Sequence, residues 1–274
     1  MVDLQHLPIA PLFVPGSRPD RFAKAAASGA DAVIIDLEDA VAATDKEKAR
    51  KSVLEYADGL KPPLIVRINA RGTPWYDMDT KAIRSVGIAA VMLPKAESAA
   101  DIVDLSARFG HHTAIIALVE TAVGLANLPQ ILAAPNVARI AFGLIDFALD
   151  IGCAHDQQVL LNTRSEIVWR SRAAKRAAPL DGVTTDFNTP DIIEADAAHA
   201  AALGFGGKLA IHPSQIEPIQ RAFRPSKTMI AWAQTMMAAA ASGTAIQVDG
   251  QMVDHPVIER ARRILARVAQ GQPC

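Results

Sequence analysis

Acidic and basic side chains gather just after short apolar runs in this sequence, and their types suit the handling of a small, oxygen-rich, charged substrate. Asp36-Leu37-Glu38-Asp39 closes the run that starts at Ala32. Arg67 and Asn69 lie in and just after Leu64 to Ile68, Lys95 and Glu97 follow Leu93, Glu120 ends Ala114 to Val119, and Asp146 follows Phe142-Gly143. Carboxylates drawn from four such runs into one cleft repel each other and raise their own pKa values unless a cation neutralises them. A hard divalent ion does this with oxygen ligands. Glu120 and Asp146 offer two carboxylates, and Mg2+ is commonly held by such a pair, with waters and substrate oxygens completing the shell. Zinc fits less well, because no His/Cys cluster has ligand spacing.

Each of these residues also has a plainer use. Asp36, Asp39 and Asp146 can cap the helices that follow their strands. Glu120 is different: Thr121 is the better cap, so a charge ending an apolar run needs a partner of another kind. Arg67 brings a planar fork suited to a carboxylate or enolate, and the same fork can form an internal salt bridge to Asp36 or Glu38; the two uses are compatible. Gly206-Gly207-Lys208 precedes Leu209 to Ile211. Its glycines permit close approach of a phosphate-bearing ligand that Lys208 can meet, while His212 reads as a satisfied structural group at a strand end. The lack of a Gly-x-Ser-x-Gly elbow and of a Walker loop argues against serine hydrolase and nucleotide triphosphatase chemistry.

Something must bring these strand ends together. The chain alternates short β-prone runs with alanine-rich stretches of helical spacing, which predicts parallel strands joined by crossover helices. Eight runs are expected as strands: Leu12 to Val14, Ala32 to Asp36, Leu64 to Ile68, Ala89 to Leu93, Ala114 to Val119, Arg139 to Phe142, Asp181 to Val183 and Leu209 to Ile211. Most are nearly continuous in Val, Ile, Leu and Ala, as strands buried on both faces are. The expected fold class is α/β, a (β/α)8 TIM barrel with its chemistry at the C-terminal strand ends. A doubly wound open sheet is the rival, disfavoured because no Gly-x-Gly-x-x-Gly follows the first run. Residues 1–224 form the expected barrel. Residues 225–274 form a C-terminal extension with a long helix, a hairpin-like element around Gly250 and a basic last helix, serving as a lid or an interfacial clamp.

Composition narrows the partners. The chain has 274 residues, 50% of them apolar, which suits one large core. Charges nearly cancel at a net −1, so no global field draws the protein to nucleic acid or to an anionic membrane, and an anionic ligand must be met locally. Two cysteines, Cys153 and Cys274, do not make a disulfide framework, and the N-terminal residues lack the pattern of a secretory leader. A reducing, cytoplasmic setting is expected.

The ordered set of motifs resembles the citrate lyase β-subunit-like (CitE-like) branch of the HpcH/HpaI aldolase family. The matching pieces are Leu12-Phe13-Val14-Pro15-Gly16, Asp36-Leu37-Glu38-Asp39-Ala40-Val41, Val66-Arg67-Ile68-Asn69, Leu93-Pro94-Lys95-Ala96-Glu97, Glu120-Thr121-Ala122-x-Gly124, Phe142-Gly143-x-x-Asp146, Gly204-Phe205-Gly206-Gly207-Lys208 with Ile211-His212-Pro213, and Gly250-Gln251-Met252-Val253-Asp254. The chain departs at Ile9-Ala10-Pro11, where the family commonly carries Arg-Ser, and at Ile145. The resemblance implies a trimeric or hexameric barrel enzyme that cleaves or forms citryl-, malyl- or citramalyl-CoA, with a small 2-oxo acid as the other product. It implies Mg2+ on Glu120 and Asp146, Arg67 on the oxo acid, and Asp36 to Asp39 with Lys95 beside the metal. It implies also that Asp254, carried on a C-terminal lid, acts as acid or base on the acetyl-CoA methyl. On this reading Asp254, Arg67 and Asp39 are catalytic, and Arg67, Glu38, Lys95 and Lys208 bind substrate. Three other readings stay open: a metal-dependent 2-oxo acid aldolase without CoA, which shares the metal half of the site; a malyl-CoA thioesterase, which uses the same pocket; and the β subunit of a citrate lyase complex.

Overall fold

The computed structural model describes residues 8–56, 61–110, 113–241, 246–248 and 251–269, which divide into two compact units, 1–222 and 223–274. The first is a (β/α)8 TIM barrel. Its strands are β1 (Pro11–Pro15), β2 (Ala32–Asp36), β3 (Leu64–Arg67), β4 (Ala90–Leu93), β5 (Ala114–Val119), β6 (Val137–Phe142), β7 (Leu180–Asp181) and β8 (Gly207–Lys208), all parallel and in chain order. The first and last strands close on each other. Phe13 N–H donates to Ala210 O at 2.8 Å, and Ala210 N–H donates to Pro11 O at 2.9 Å.

The helices are α1 (Phe22–Ala26), α2 (Lys46–Tyr56), α3 (Tyr76–Ile83), α4 (Ala99–Phe109), α5 (Ala122–Ala126), α6 (Leu128–Ala133), α7 (Leu144–Ile151), α8 (Leu161–Ala173), α9 (Pro190–Leu203) and α10 (Ile216–Phe223). Their ends follow ordinary capping chemistry. Ser98 and Asp101 form a reciprocal capping box on α4, Thr121 caps α5 through Gly124 N–H, and glycines in the left-handed conformation stop α7 and α9.

Strand periodicity decides which side chains meet inside the barrel. Ala32, Ile34, Ile65, Ala90, Met92, Ile116, Leu118, Ala141, Leu180 and Leu209 form the interior cluster, with Phe13 against it. Successive side chains alternate faces, so the same inward register continues upward to Asp36 on β2, Arg67 on β3, Glu120 past β5 and Gly143 past β6. At the other end it reaches Arg139, wholly buried, whose Nε and Nη1 donate at 2.6 Å to Ala178 O and Pro8 O.

The second unit contains α11 (Lys227–Ala241), the antiparallel strands β9 (Ile246–Val248) and β10 (Gln251–Val253), and α12 (His255–Ala269). Ala233 and Met236 on α11 pack with Ala261 and Ile264 on α12, and the Arg260 guanidinium lies 4.9 Å from the Trp232 ring centre. The hairpin expected around Gly250 is present as this strand pair, and Gly250 itself lies outside the described residues. Among the described residues no helix is long and apolar enough to cross a membrane.

Candidate active site

The inward register sets Asp36, Arg67 and Glu120 around one mouth. Arg67 grips Asp36 with two bonds of 2.7 Å, from Nε and from Nη2, and Asp36 also accepts the N–H groups of Glu38 and Ala40 at 2.9 Å. Asp36 therefore organises the β2–α2 turn instead of capping a helix. The third nitrogen of Arg67, Nη1, faces Glu38 Oε2 at 3.2 Å and Asp39 Oδ2 at 3.6 Å. Beneath the guanidinium lies the Phe13 ring, 4.8 Å away. Burial works against the charge on Arg67, but its bonds to Asp36 and the charge of Asp36 prevail and hold its pKa above the ordinary value.

Lys95 stands two residues beyond β4 in a left-handed conformation, φ 48°, which turns its backbone N–H onto Glu120 Oε1 at 2.8 Å. Its ammonium sits 2.9 Å from Glu38 Oε1 and 3.9 Å from Glu120 Oε1. Glu120 is only 1% exposed. Gly143 makes room for it: a Cβ at that position would fall 2.4 Å from Glu120 Oε2. Asp146, half-buried in the first turn of α7, leaves the N-cap position to Gly143.

The charges do not balance. Asp36, Glu38, Asp39 and Glu120 crowd around Arg67 and Lys95, the charge of Asp146 acts on Glu120, and two symptoms of the surplus are visible. Glu38 Oε2 is buried without a hydrogen bond, held only by its ion pair to Arg67 Nη1. The Glu120 pKa is pushed up to about 8, first by burial and then by the charges of Glu38 and Asp146, against the pull of Lys95. Burial likewise raises Glu38, with Arg67 and Lys95 opposing. Among the described residues no group of three or more His, Cys, Asp or Glu side chains could enclose a metal by itself. The donor set instead fits an ion that keeps waters and takes one or two carboxylates, as Mg2+ does.

The model for HpcH/HpaI aldolase/citrate lyase matches residues 10–213. The chain belongs to the HpcH/HpaI aldolase/citrate lyase family. Among relatives in this family, a citrate lyase subunit beta-like protein of Mycobacterium tuberculosis is 40% identical over 269 residues, covering 95% of each chain. A (3S)-malyl-CoA thioesterase of Cereibacter sphaeroides is 33% identical, covering 93% of each. The crystal structure of CitE from Mycobacterium tuberculosis in complex with magnesium, acetoacetate and coenzyme A superposes with a TM-score of 0.86 at 37% identity, covering 97% of this chain and 99% of that one.

Within this HpcH/HpaI barrel, not every residue singled out in the sequence joins the mouth. Glu38, Arg67, Lys95 and Glu120 come together, Asp39 stands at the rim with its side chain 53% exposed, and Glu97 is taken up by the Thr121 hydroxyl at 2.9 Å. Lys208 does not face the mouth. Leu180 and Leu209 point inward, so Asp181 and Lys208 point outward toward α9. There the Lys208 ammonium, 0% exposed, meets Asp181 and Asp196 at 2.8 Å and Gly182 O at 2.7 Å, with Arg164 also on Asp181. The last strand begins at Gly207, two residues before the expected Leu209, because Gly207 pairs with Leu180 and Lys208 N–H reaches Ile9 O at 2.7 Å. His212 accepts the Ser214 N–H as a cap. Asp254 belongs to the second unit, is exposed, and accepts the Val257 N–H at 3.1 Å at the start of α12.

The structure adds residues that the sequence reading passed over. Gly143 was legible, since it continues the two-residue inward register of Arg139 and Ala141. Lys46 was not, because it sits in the charged run Asp45-Lys46-Glu47-Lys48, which looks like a solvated helix start, yet it is buried. A cleft of about 480 Å3 also opens at the strand ends between β1 and the turn after β8, lined by Phe13, Asp20, Arg21, Lys24, Ile211 and His212.

Proposed function

We propose that this protein is a Mg2+-dependent carbon–carbon lyase that cleaves or forms a small 3-hydroxyacyl-CoA thioester, giving acetyl-CoA and a 2-oxo acid. The observation that carries the reading is Glu120: a buried carboxylate with its pKa raised, beside Asp146, in a mouth with more negative than positive charge. Such a site is stabilised by a divalent cation, and both the magnesium complex of the mycobacterial CitE and the family assignment support it.

In this reading Glu120 and Asp146 hold the ion. When bound, Mg2+ supplies a Lewis acid and a template for the carboxylate and hydroxyl oxygens of the substrate. Arg67 has spent Nε and Nη2 on Asp36, so Nη1 is the face it offers to the carboxylate of the oxo acid. Lys95, whose pKa ends above the ordinary value because Glu38 outweighs the cost of burial, keeps its charge beside oxygens that become negative as the C–C bond breaks. Glu38 and Asp39 border Nη1 and define the width of the anion site. Asp254 of the C-terminal unit is the group assigned to exchange a proton with the acetyl-CoA methyl carbon. The cleft beside Phe13, with Arg21 and Lys24 in its wall, suits the phosphate-bearing part of the thioester. Assembly into a trimer or hexamer belongs to the same proposal. Leu149 at 80% and Val123 at 53% exposure, on two contacting helices, offer apolar area to such an interface.

One experiment tests the reading. Citryl-, malyl- and citramalyl-CoA are offered with and without Mg2+, while oxo acid and free thiol are followed in parallel. A lyase releases oxo acid without free CoA thiol, and only with the metal. Free thiol without oxo acid identifies a thioesterase, the activity named for the Cereibacter sphaeroides relative. Metal-independent turnover, or no turnover of any thioester, overturns the proposal.

A further inference from the structure

Behind the mouth runs a buried polar relay that the proposed chemistry does not use. Lys46, the first residue of α2, is 6% exposed. Its ammonium donates to Leu37 O at 2.8 Å, Glu38 O at 2.8 Å and Asn69 Oδ1 at 2.7 Å, which uses all three of its donors. Asn69 passes the relay on through Nδ2 to Asp79 Oδ2 at 2.6 Å, and Asp79 Oδ1 accepts from Arg50 Nε at 3.0 Å. The Trp75 ring covers the ammonium at 5.1 Å.

The two carbonyls held by Lys46 are informative. Leu37 O belongs to the peptide group before Glu38, and Glu38 O to the one after it. Leu37 O also accepts from Asn69 Nδ2 at 2.9 Å and Glu38 O from the Val41 N–H at 3.0 Å, but the Lys46 ammonium bonds both carbonyls and so ties the two peptide planes to one point. That tie helps fix the direction of the Glu38 Cα–Cβ bond and so the place where its carboxylate ends up, 2.9 Å from Lys95 Nζ and 3.2 Å from Arg67 Nη1. We propose that Lys46 is a positioning residue, which aims Glu38 at Arg67 and Lys95 by clamping the peptide groups on either side of it. Its kinetic meaning rests on the proposed function; its geometric meaning does not.

The test compares Lys46→Met and Lys46→Arg with Arg50→Met, a change at the far end of the same relay, where the side chain bonds Asp79 and neither carbonyl that Lys46 holds. Lys46→Met is expected to lower kcat by roughly 10- to 100-fold, the scale seen when a supporting group behind a site is lost. Arg50→Met is expected to lower the melting temperature by a similar amount while kcat stays within about twofold. Lys46→Arg keeps the charge but cannot place three donors on the same acceptors, so an intermediate kcat at near wild-type Tm is expected; it carries the comparison if Lys46→Met does not fold. A crystal structure of the Lys46 variant should show the Glu38 carboxylate away from Lys95. Equal kcat losses in the Lys46 and Arg50 variants at matched Tm, or an unmoved Glu38 carboxylate, overturn the proposal. If the wild-type chain turned over no thioester, the proposed function would fall, and the Glu38–Lys95 distance in the variant would decide the role of Lys46.

Discussion

Replacing Glu120 with glutamine separates the electrostatic argument from the rest of the fold. Without a cation, burial and the charges of Glu38 and Asp146 push the Glu120 pKa up to about 8 from the ordinary 4.5. At about 1.36 kcal/mol per pKa unit the difference is about 5 kcal/mol, and because real interiors respond more softly the working range is about 2–4 kcal/mol. The sign follows from proton linkage. Between pH 4.5 and 8 the unfolded chain has released this proton while the native state keeps it, so stability falls as pH rises through that window and levels off above it. The glutamine side chain would still accept the Lys95 N–H, which now reaches Glu120 Oε1 at 2.8 Å, but would have nothing to titrate.

The assay is a set of thermal melts of wild type and Glu120→Gln from about pH 5 to 8.5, with and without Mg2+. Other titrating groups are common to both proteins, so the difference between the two curves isolates Glu120. With about 2–4 °C per kcal/mol for a domain of this size, the metal-free wild type should lose roughly 4–16 °C more than the variant across the window. Mg2+ at about a hundred times its Kd should add roughly 2.7 kcal/mol to the wild type, most effectively at the alkaline end, where no proton competes for the carboxylate. The variant should gain none. Parallel curves, or equal protection of the variant by Mg2+, would refute both the buried-charge argument and the metal assignment.

Other expectations are simpler. Gly143→Ala puts a Cβ 2.4 Å from Glu120 Oε2; it should cost about 1–3 kcal/mol in urea melts and weaken Mg2+ binding in calorimetry, and a variant that binds as wild type would show that Glu120 does not need that space. Asp254→Asn should lower kcat on the order of 10² or more with Mg2+ affinity kept, whereas an unchanged rate in stopped assays would leave this residue only its cap on α12. Lys208→Met leaves Asp181 and Asp196 short of a buried counter-ion and should cost about 3–5 kcal/mol. A variant of undiminished stability but raised KM for the thioester would restore Lys208 to ligand binding.

The barrel was legible because its strands are buried on both faces and therefore written as apolar runs. Ala32–Asp36 and Ala114–Val119 carry the expected limits without change. The last two strands were misplaced by one to three residues because little in their local sequence fixes them. β7 and β8 are two residues each, and their position depends on long-range pairs, Ala141 with Leu180 and Gly207 with Leu180. A strand that short has too few side chains to display its own period, so the partner strands set its register.

The same limit explains why one of two lysines lies in the mouth and the other does not. Lys95 and Lys208 both adjoin an apolar run near a strand end, and composition does not distinguish them. What separates them is parity and the strand boundary. Lys95 lies beyond β4, where a left-handed residue can turn its amide toward Glu120 and leave its side chain 41% exposed in the mouth. Lys208 lies inside β8, one residue before the inward Leu209, so its side chain must enter the layer between barrel and helices. An ammonium in that layer requires carboxylates, and Asp181 and Asp196 are there to receive it. A shift of one residue in the assumed strand thus exchanges a ligand-facing cation for a buried structural one. The decisive quantity for reading such a site is the face to which each residue points, and it is fixed only where the strand is long enough to declare it, as β2 and β5 are for Asp36 and Glu120.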